Sequence, residues 1–471
     1  MRGLLTCLLL ALLPSGPALA AGGVNTAVGD VGPTRAVLWA RAPAAAELNL
    51  WLREGRQLPS LQRIAVDADS DHAGHFVLEG LRPDTLYDYR VWAGDGPLQR
   101  GWHLGERGRF RTAPRPQDAA PVRLAFGADL GGGNVCRELG AGFPTLRAVR
   151  DYDPGLFLAL GDMIYADSPC QSTGRFGASQ LAAPAPARTL ADYQARWRYT
   201  LADGDLSALR STRPYIAIWD DHEIADDAGP AEPQSAALMA PARQAFLDYN
   251  PVPPSEPAGT LYRQLRWGRH LALFLLDTRQ YRDAAGWPDD PTRPKSLLGR
   301  AQRQWLESAL AGSDATWNVI VSSVPLSIPT GAPGQRDGWA DGGDGSGYEL
   351  ELLALLRQLA AAGVGNVIFL AGDAHLPALL AHRPLADMPA FEVLEAIAGP
   401  LAASLGEAPT PDPTLNPQLL FARAPAAPPA SRQAAEDWLN FGTVEIAADG
   451  ALTLGFRNAR NEPLFERRLS P

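Results

Sequence analysis

The chain has 471 residues, of which 46% are apolar and 20% charged, enough to bury the cores of two or three domains. Its formal net charge of −10 argues against a nucleic-acid binder, which would present a basic face. A phosphate substrate remains compatible with that charge, because bound cations reverse the local field.

Taken in chain order, Arg2 precedes an apolar run over residues 4–13, which Pro14-Ser15-Gly16-Pro17 breaks and Ala18-Leu19-Ala20 follows. That order predicts a secretory signal peptide over residues 1–20, and hence a secreted or periplasmic protein; the run is too short to span a bilayer. Cys7 falls before the run has ended, which argues against a lipid anchor, and no later segment has the length and apolarity of a membrane span. Beyond the leader two cysteines remain, Cys136 and Cys170. In an exported protein such a pair reads as a disulfide before it reads as metal ligands or free thiols.

From residue 24 to about 112 the pattern is short alternating strands separated by Gly, Pro and Asp turns, with 36–40 and 48–52 read as neighbouring strands. The stretch Leu81-Arg82-Pro83-Asp84-Thr85-Leu86-Tyr87-Asp88-Tyr89-Arg90-Val91 has the alternation of fibronectin-like β-sandwiches, whose aromatic residues point into the core. Residues 21–113 are therefore expected to form a small all-β, fibronectin/Ig-like domain with a structural or docking role. A Pro-rich linker over 114–120 follows.

Across 121–471 strand-like runs (122–126, 156–160, 215–218, 271–276, 317–322, 366–370) alternate with helical ones, among them an amphipathic helix over 349–362. That predicts mixed sheets covered by helices, closed by antiparallel strands at 442–447, 452–456 and 464–469. Ala- and Pro-rich stretches at 180–188, 228–242 and 422–436 read as surface loops.

Four of these strands end in acid. Asp129 follows the first; Asp162 the second, with Tyr165 one helical turn on; Asp220-Asp221-His222-Glu223 the third, with Asp226 and Asp227 behind; Asp373 the fourth, with His375 two residues later. Strand ends face the crevice of an open α/β sheet, and carboxylates gathered there repel one another unless cations sit between them.

Gly-Asp, Asp-His-Glu and Gly-Asp-x-His, in that order after apolar strands, resemble the calcineurin-like two-metal phosphoesterases, and most closely the PhoD-like alkaline phosphatases. The resemblance covers most of residues 24–471 and rests on Gly161-Asp162-Met163-Ile164-Tyr165, Trp219-Asp220-Asp221-His222-Glu223, Leu276-Asp277-Thr278-Arg279-Gln280-Tyr281-Arg282-Asp283, Leu298-Gly299 with Gln302, and Gly372-Asp373-Ala374-His375. It implies an α/β metallophosphoesterase sandwich and hydrolysis of phosphate mono- or diesters by a hydroxide bound between two metals. Asp162 would bridge the metals, and Tyr165, Asp373 and His375 would hold an iron-like ion. Asp226 stands where the family has an Asn on the calcium-like side. A further acidic ligand is expected among Asp337, Asp341 and Asp344, with Asp344 favoured. Asp221 and His222 would serve the chemistry, His222 by binding the phosphoryl oxygen or protonating the leaving group. Arg279 would either clamp phosphate or form a buried pair with Asp277 or Asp283.

The sequence departs from the family in two further respects. Ala128-Asp129 replaces the usual Ser-Cys, so Asp129 takes the place of a thiolate ligand, and Mn²⁺ or Zn²⁺ joins Ca²⁺ and Fe³⁺ as a candidate. The leader lacks the paired arginines common in the family, which points to Sec export. A phosphate ester is the expected partner, without nucleic acid or membrane anchor, and the chain is expected to be a monomer. The competing readings are a phospholipase D-type phosphodiesterase and a non-catalytic, metal-stabilised binding protein.

Overall fold

A computed structural model describes residues 23–94, 106–255 and 257–471; the expected leader lies outside the described residues. Seven strands open the chain: β1 (Asn25–Gly29), β2 (Arg35–Arg41), β3 (Glu47–Glu54), β4 (Ser60–Ala65), β5 (Ala73–Glu79), β6 (Leu86–Ala93) and β7 (Glu106–Arg111). They form two sheets, β1-β2-β5 and β4-β3-β6-β7. The strands read as neighbours, β2 and β3, thus belong to different sheets. Alternation tells which residues face a core, but not which of two sheets a strand joins. Tyr87, Tyr89 and Val91 are buried as expected, and the Tyr87 hydroxyl accepts a hydrogen bond from the Arg82 backbone N–H at 2.9 Å.

The second part continues with β8 (Val122–Gly127), α1 (Pro144–Tyr152), β9 (Leu156–Leu160), α2 (Leu190–Leu201), α3 (Gly204–Thr212), β10 (Tyr215–Ile218) and α4 (Met239–Tyr249). Then come β11 (Arg263–Trp267), β12 (Leu271–Leu275), α5 (Gly299–Ala311), β13 (Trp317–Val321), the small hairpin β14 (Gly331–Ala332) and β15 (Gln335–Arg336), and α6 (Glu349–Ala361). The chain closes with β16 (Val367–Ala371), β17 (Ala378–His382), β18 (Val393–Ile397), β19 (Pro417–Ala422), α7 (Arg432–Ala435), β20 (Asn440–Ile446), β21 (Leu452–Asn458) and β22 (Pro463–Leu469). Two of the stretches read as loops carry helix: 228–242 runs into α4 and 422–436 contains α7.

Sheets of order β10-β9-β8-β20-β21-β22 and β11-β12-β13-β16-β18-β17-β19 lie face to face. Strand alternation sorts their residues into layers. Leu124, Phe126, Leu158 and Ile218 meet Leu273, Val319 and Leu370 between the sheets. Ala125, Phe157 and Ala217 face outward onto α1 to α4, and Phe274, Ile320 and Phe369 onto α5 and α6. Burial on both faces explains the continuous apolar runs of these strands.

β8, β9 and β10 run parallel, as do β12, β13, β16 and β18. Their carboxyl ends therefore open at one edge of the sandwich, and the acidic strand ends are carried there together.

Candidate functional site

The turns leaving β8, β9 and β16 are unusual. Asp129, Asp162, Asp373 and His375 all adopt left-handed backbone, with φ of 64°, 55°, 65° and 55°. Non-glycine residues in that region cost energy, and such outliers gather where a side chain must be aimed. Glycines let the turns approach: a Cβ on Gly132 would lie 2.2 Å from the Tyr165 ring, and one on Gly372 would lie 2.4 Å from the Ala128 Cβ.

Around this edge Asp129, Asp162, Tyr165 and Asp221 are buried, while Asp373, His375 and His222 are half-buried. The Tyr165 hydroxyl lies 2.9 Å from His375 Nε2, which is 3.7 Å from Asp129 Oδ1. Asp129 Oδ1 also accepts from the Asp373 N–H at 3.3 Å, and Asp162 Oδ1 from the His222 N–H at 3.2 Å. His375 Nδ1 donates to the Ser404 carbonyl at 2.6 Å, which leaves Nε2 as the ring's lone-pair nitrogen. Burial lowers the His375 pKa to about 4, so the ring is neutral at pH 7.

One oxygen on each of four carboxylates, Asp129, Asp162, Asp221 and Asp373, is buried with no hydrogen-bond donor. Burial, and then the neighbouring carboxylates, push Asp129, Asp162 and Asp373 well above the usual carboxylate range. Buried polar atoms are almost always satisfied, and crowded, unsatisfied carboxylate oxygens beside a neutral imidazole and a phenol form the donor set of a hard or borderline cation. The residues present therefore fit metal ions.

Two further carboxylates, unassigned in the sequence reading, support the site. Glu223 accepts from the backbone N–H groups of Asp162 (2.9 Å), Met163 (2.7 Å) and Asp220 (2.8 Å), tying the ends of β9 and β10 together. Asp167 receives His222 Nδ1 on both oxygens, at 2.9 and 3.0 Å, and the Asp226 N–H at 2.7 Å. Asp167 stands five residues after Asp162, on a segment with no periodicity to mark it.

Several expectations are corrected here. Arg279 does not face the cleft: its side chain is fully buried, Nε donates to Asp220 at 2.6 Å, and Nη1 and Nη2 donate to Asp337 at 2.7 and 2.6 Å. Its carboxylate partners are Asp220 and Asp337, with Asp221 Oδ1 3.6 Å away, whereas Asp277 receives only its backbone N–H. Asp344 is also elsewhere, bonded to Arg336 at 2.9 Å and to the Gly334 N–H at 3.0 Å. Of the three loop acids, Asp337 alone groups with Asp221, through Asp227, while Asp341 groups with Glu349 and Asp412. Asp226 is exposed, its carboxylate within 4.8 Å of His222 and Asp167, while the Asp227 carboxylate lies within 4.8 Å of Asp221 and Asp337. The expected disulfide is present: Cys136 is bonded to Cys170 with a Cα–Cα distance of 6.0 Å.

An open cleft of about 790 Å³ leads to these groups, lined by Asp221, His222, Asp373 and His375 together with Ile328, Leu376 and Leu405.

A family model described as PhoD-like phosphatase matches residues 133–450, and one described as the PhoD-like phosphatase N-terminal domain matches 20–114. The sequence is 28% identical over 330 residues to alkaline phosphatase D of Bacillus subtilis (strain 168), a match that covers 64% of this chain. The chain spans about half the length of that relative, 53%. A solved structure of PhoD superposes with a TM-score of 0.72 at 21% identity, over 95% of this chain and 91% of that one. A purple acid phosphatase from yellow lupin (Lupinus luteus) seeds does so with a TM-score of 0.63 at 14% identity, over 95% and 74%. Both likenesses are to the fold.

Proposed function

Because the chain belongs to the PhoD-like phosphatase family, we propose that it is an exported, two-metal phosphoesterase that hydrolyses phosphate mono- or diesters. The observation that carries this reading is the convergence of four donor-less buried carboxylate oxygens with Tyr165 and His375 at the sheet edge. When bound, the metals supply Lewis acidity toward the phosphoryl oxygens, activation of water and neutralisation of developing charge.

In this reading Asp129, Tyr165, Asp373 and His375 would hold one ion and Asp221 and Asp227 the other, with Asp162 available to both. Carboxylate in place of thiolate at Asp129 makes the first position harder, so Mn²⁺, Zn²⁺ or Ca²⁺ suits it as well as iron. His222 lines the cleft, with Nδ1 held by Asp167, and Nε2 delivers a proton to the departing alkoxide oxygen. Arg279 and Arg282 anchor Asp337 and Asp220, and so keep the β10 turn in place without touching substrate. The volume of the open cleft, about 790 Å³, leaves room for an ester with a bulky group on either side of phosphorus. Export is supported by the leader pattern of residues 1–20 and by the Cys136–Cys170 disulfide.

A panel of aryl phosphate, bis-aryl phosphate and phospholipid substrates tests the proposal, assayed before and after chelation and after re-addition of Ca²⁺, Mn²⁺, Zn²⁺ or iron. Hydrolysis that chelation abolishes and a metal restores is expected. Turnover of none of these esters under any metal would leave the reading without support.

A further inference from the structure

Helix α2 contributes no residue to the lining of the cleft, yet two of its side chains reach the turns that carry the site. The helix starts from a reciprocal cap: the Thr189 hydroxyl accepts from the Asp192 N–H, and the Asp192 carboxylate accepts from the Thr189 N–H. Tyr193 and Arg196 follow, three residues apart and therefore on one face. That face is buried, with Tyr193 fully covered and Arg196 3% exposed.

Arg196 grips three backbone carbonyls. Nη1 donates to the Tyr165 carbonyl at 3.1 Å and to the Ser168 carbonyl at 2.8 Å, and Nε donates to the Ala185 carbonyl at 3.2 Å. Tyr165 and Ser168 bracket Asp167, so the guanidinium holds the turn on both sides of the carboxylate that receives His222 Nδ1. Ala185 lies in the Ala- and Pro-rich stretch 180–188, which is pinned here. On the other turn, the Tyr193 hydroxyl donates to the Ile224 carbonyl at 2.7 Å, two residues beyond His222. The Ala166 N–H donates to the His222 carbonyl and the Ala187 N–H to the Ala166 carbonyl, both at 2.8 Å. One helical face thus holds both halves of the Asp167–His222 pair, and the Tyr165 ring packs on the His222 ring with centroids 4.0 Å apart.

A buried cation costs stability, and among the described residues the hydrogen bonds of this one go to neutral carbonyls. Burial lowers the Arg196 pKa, and the charge of Asp167 opposes that fall. A neutral side chain of similar size would fill the space at lower cost. The planar guanidinium fork offers something that such a side chain lacks, namely several donors at fixed angles that bind two loops at once.

We propose that Arg196, with Tyr193 beside it, is the positioning residue for proton delivery, and that the site is thereby built for alkyl phosphate esters. This rests on the reading of His222 as the proton donor. As the P–O bond breaks, its electron pair stays on the departing oxygen. A proton passes from His222 Nε2 to that oxygen, while the Nδ1 proton stays on its bond to Asp167. An aryloxide leaves without such help and an alkoxide does not, so a frame that aims His222 serves the alkyl class. Neither Arg196 nor Tyr193 touches substrate.

Turnover of a series of alkyl and aryl methylphosphate diesters by the full chain, with bound metal read alongside, tests this in wild type, Arg196→Gln, Arg196→Lys, Tyr193→Phe and His222→Asn. Arg196→Gln should lose at least about tenfold more on alkyl than on aryl esters while keeping its metal, because a misaimed donor costs only the step that needs its proton. Arg196→Lys should recover part of that loss. Tyr193→Phe, which removes a single hydroxyl, should show the same bias at about threefold, and it decides the matter if Arg196→Gln does not fold. Equal losses on both ester classes, or losses that track metal content, would overturn the assignment and leave both residues as supports of the fold. If His222→Asn shows the bias when they do not, this inference alone fails. If His222→Asn shows no bias, the proton-donor reading falls and takes the inference with it. A wild type that turns over aryl but no alkyl esters would overturn the alkyl class.

Discussion

Asp129 and Asp167 separate what a residue's neighbours in sequence reveal from what only its neighbours in space reveal. Asp129 was visible because it ends an apolar strand, and the structure places it 3.7 Å from His375 with one oxygen lacking any donor. Asp129→Ala should therefore lower bound metal after purification, measured by elemental analysis; full occupancy in that variant would return Asp129 to the role of a turn residue. Asp167 was invisible, since its partner His222 lies 55 residues away and the segment around Asp167 itself follows no period. Asp167→Asn should slow hydrolysis of an alkyl ester about a hundredfold, yet barely affect an aryl ester whose leaving group needs no proton. Equal losses on both substrates would remove His222 from leaving-group protonation. Arg279 shows the limit of motif reading, because the same fork that matches phosphate also matches a buried carboxylate pair.

At the level of elements, β8, β9, β10 and β16 were legible because burial on both faces leaves unbroken apolar runs ending in acid. The strands β17, β18 and β19 were not, since their residues lie among Pro- and Ala-rich segments. β2 was legible as a strand, but its burial on both faces has a cause that sequence does not show: it packs on the second part of the chain. Trp39 Nε1 donates to the Asp248 carbonyl at 2.6 Å, and Arg263 holds Asp30 with two bonds of 2.7 and 2.8 Å. Asp71 adds bonds to Arg41 at 2.9 Å, to Arg198 of α2 at 2.5 Å and to the Tyr249 hydroxyl. Burial alone would raise the Asp71 pKa, but these bonds outweigh it and the net shift is downward. Its contribution is thus complete above the ordinary carboxylate value near 4 and is lost as pH falls through the lower folded-state value. Asp71→Asn should cost about 1–3 kcal/mol at pH 7, with the difference from wild type vanishing in strong acid. Chemical denaturation across pH checks it; a pH-independent difference would contradict the assignment. The disulfide is an element-scale restraint too. It joins cysteines 34 residues apart across the turns that carry Gly132 and Tyr165, and its removal by Cys136→Ser/Cys170→Ser should cost about 3–4 kcal/mol. An unchanged midpoint in denaturant would show that packing alone fixes those turns.

For the whole molecule, parallel strands with buried faces force the acidic turns onto one edge, and the fold thereby concentrates charge that it does not itself neutralise. The cluster is a consequence of topology: four strands from two sheets, β8, β9, β10 and β16, bring it together, and Glu223 and Asp337 with its two arginines hold it in place. The central claim is that this charge is balanced by a pair of metals which serve ester hydrolysis. Metal content per chain, measured together with bis-aryl phosphate turnover in wild type and Asp162→Asn, tests it most directly. Wild type should hold about two metals per chain, while the variant should lose metal and at least about a hundredfold in rate, as expected of a ligand shared by both ions. Undiminished metal and undiminished turnover in Asp162→Asn would contradict the account.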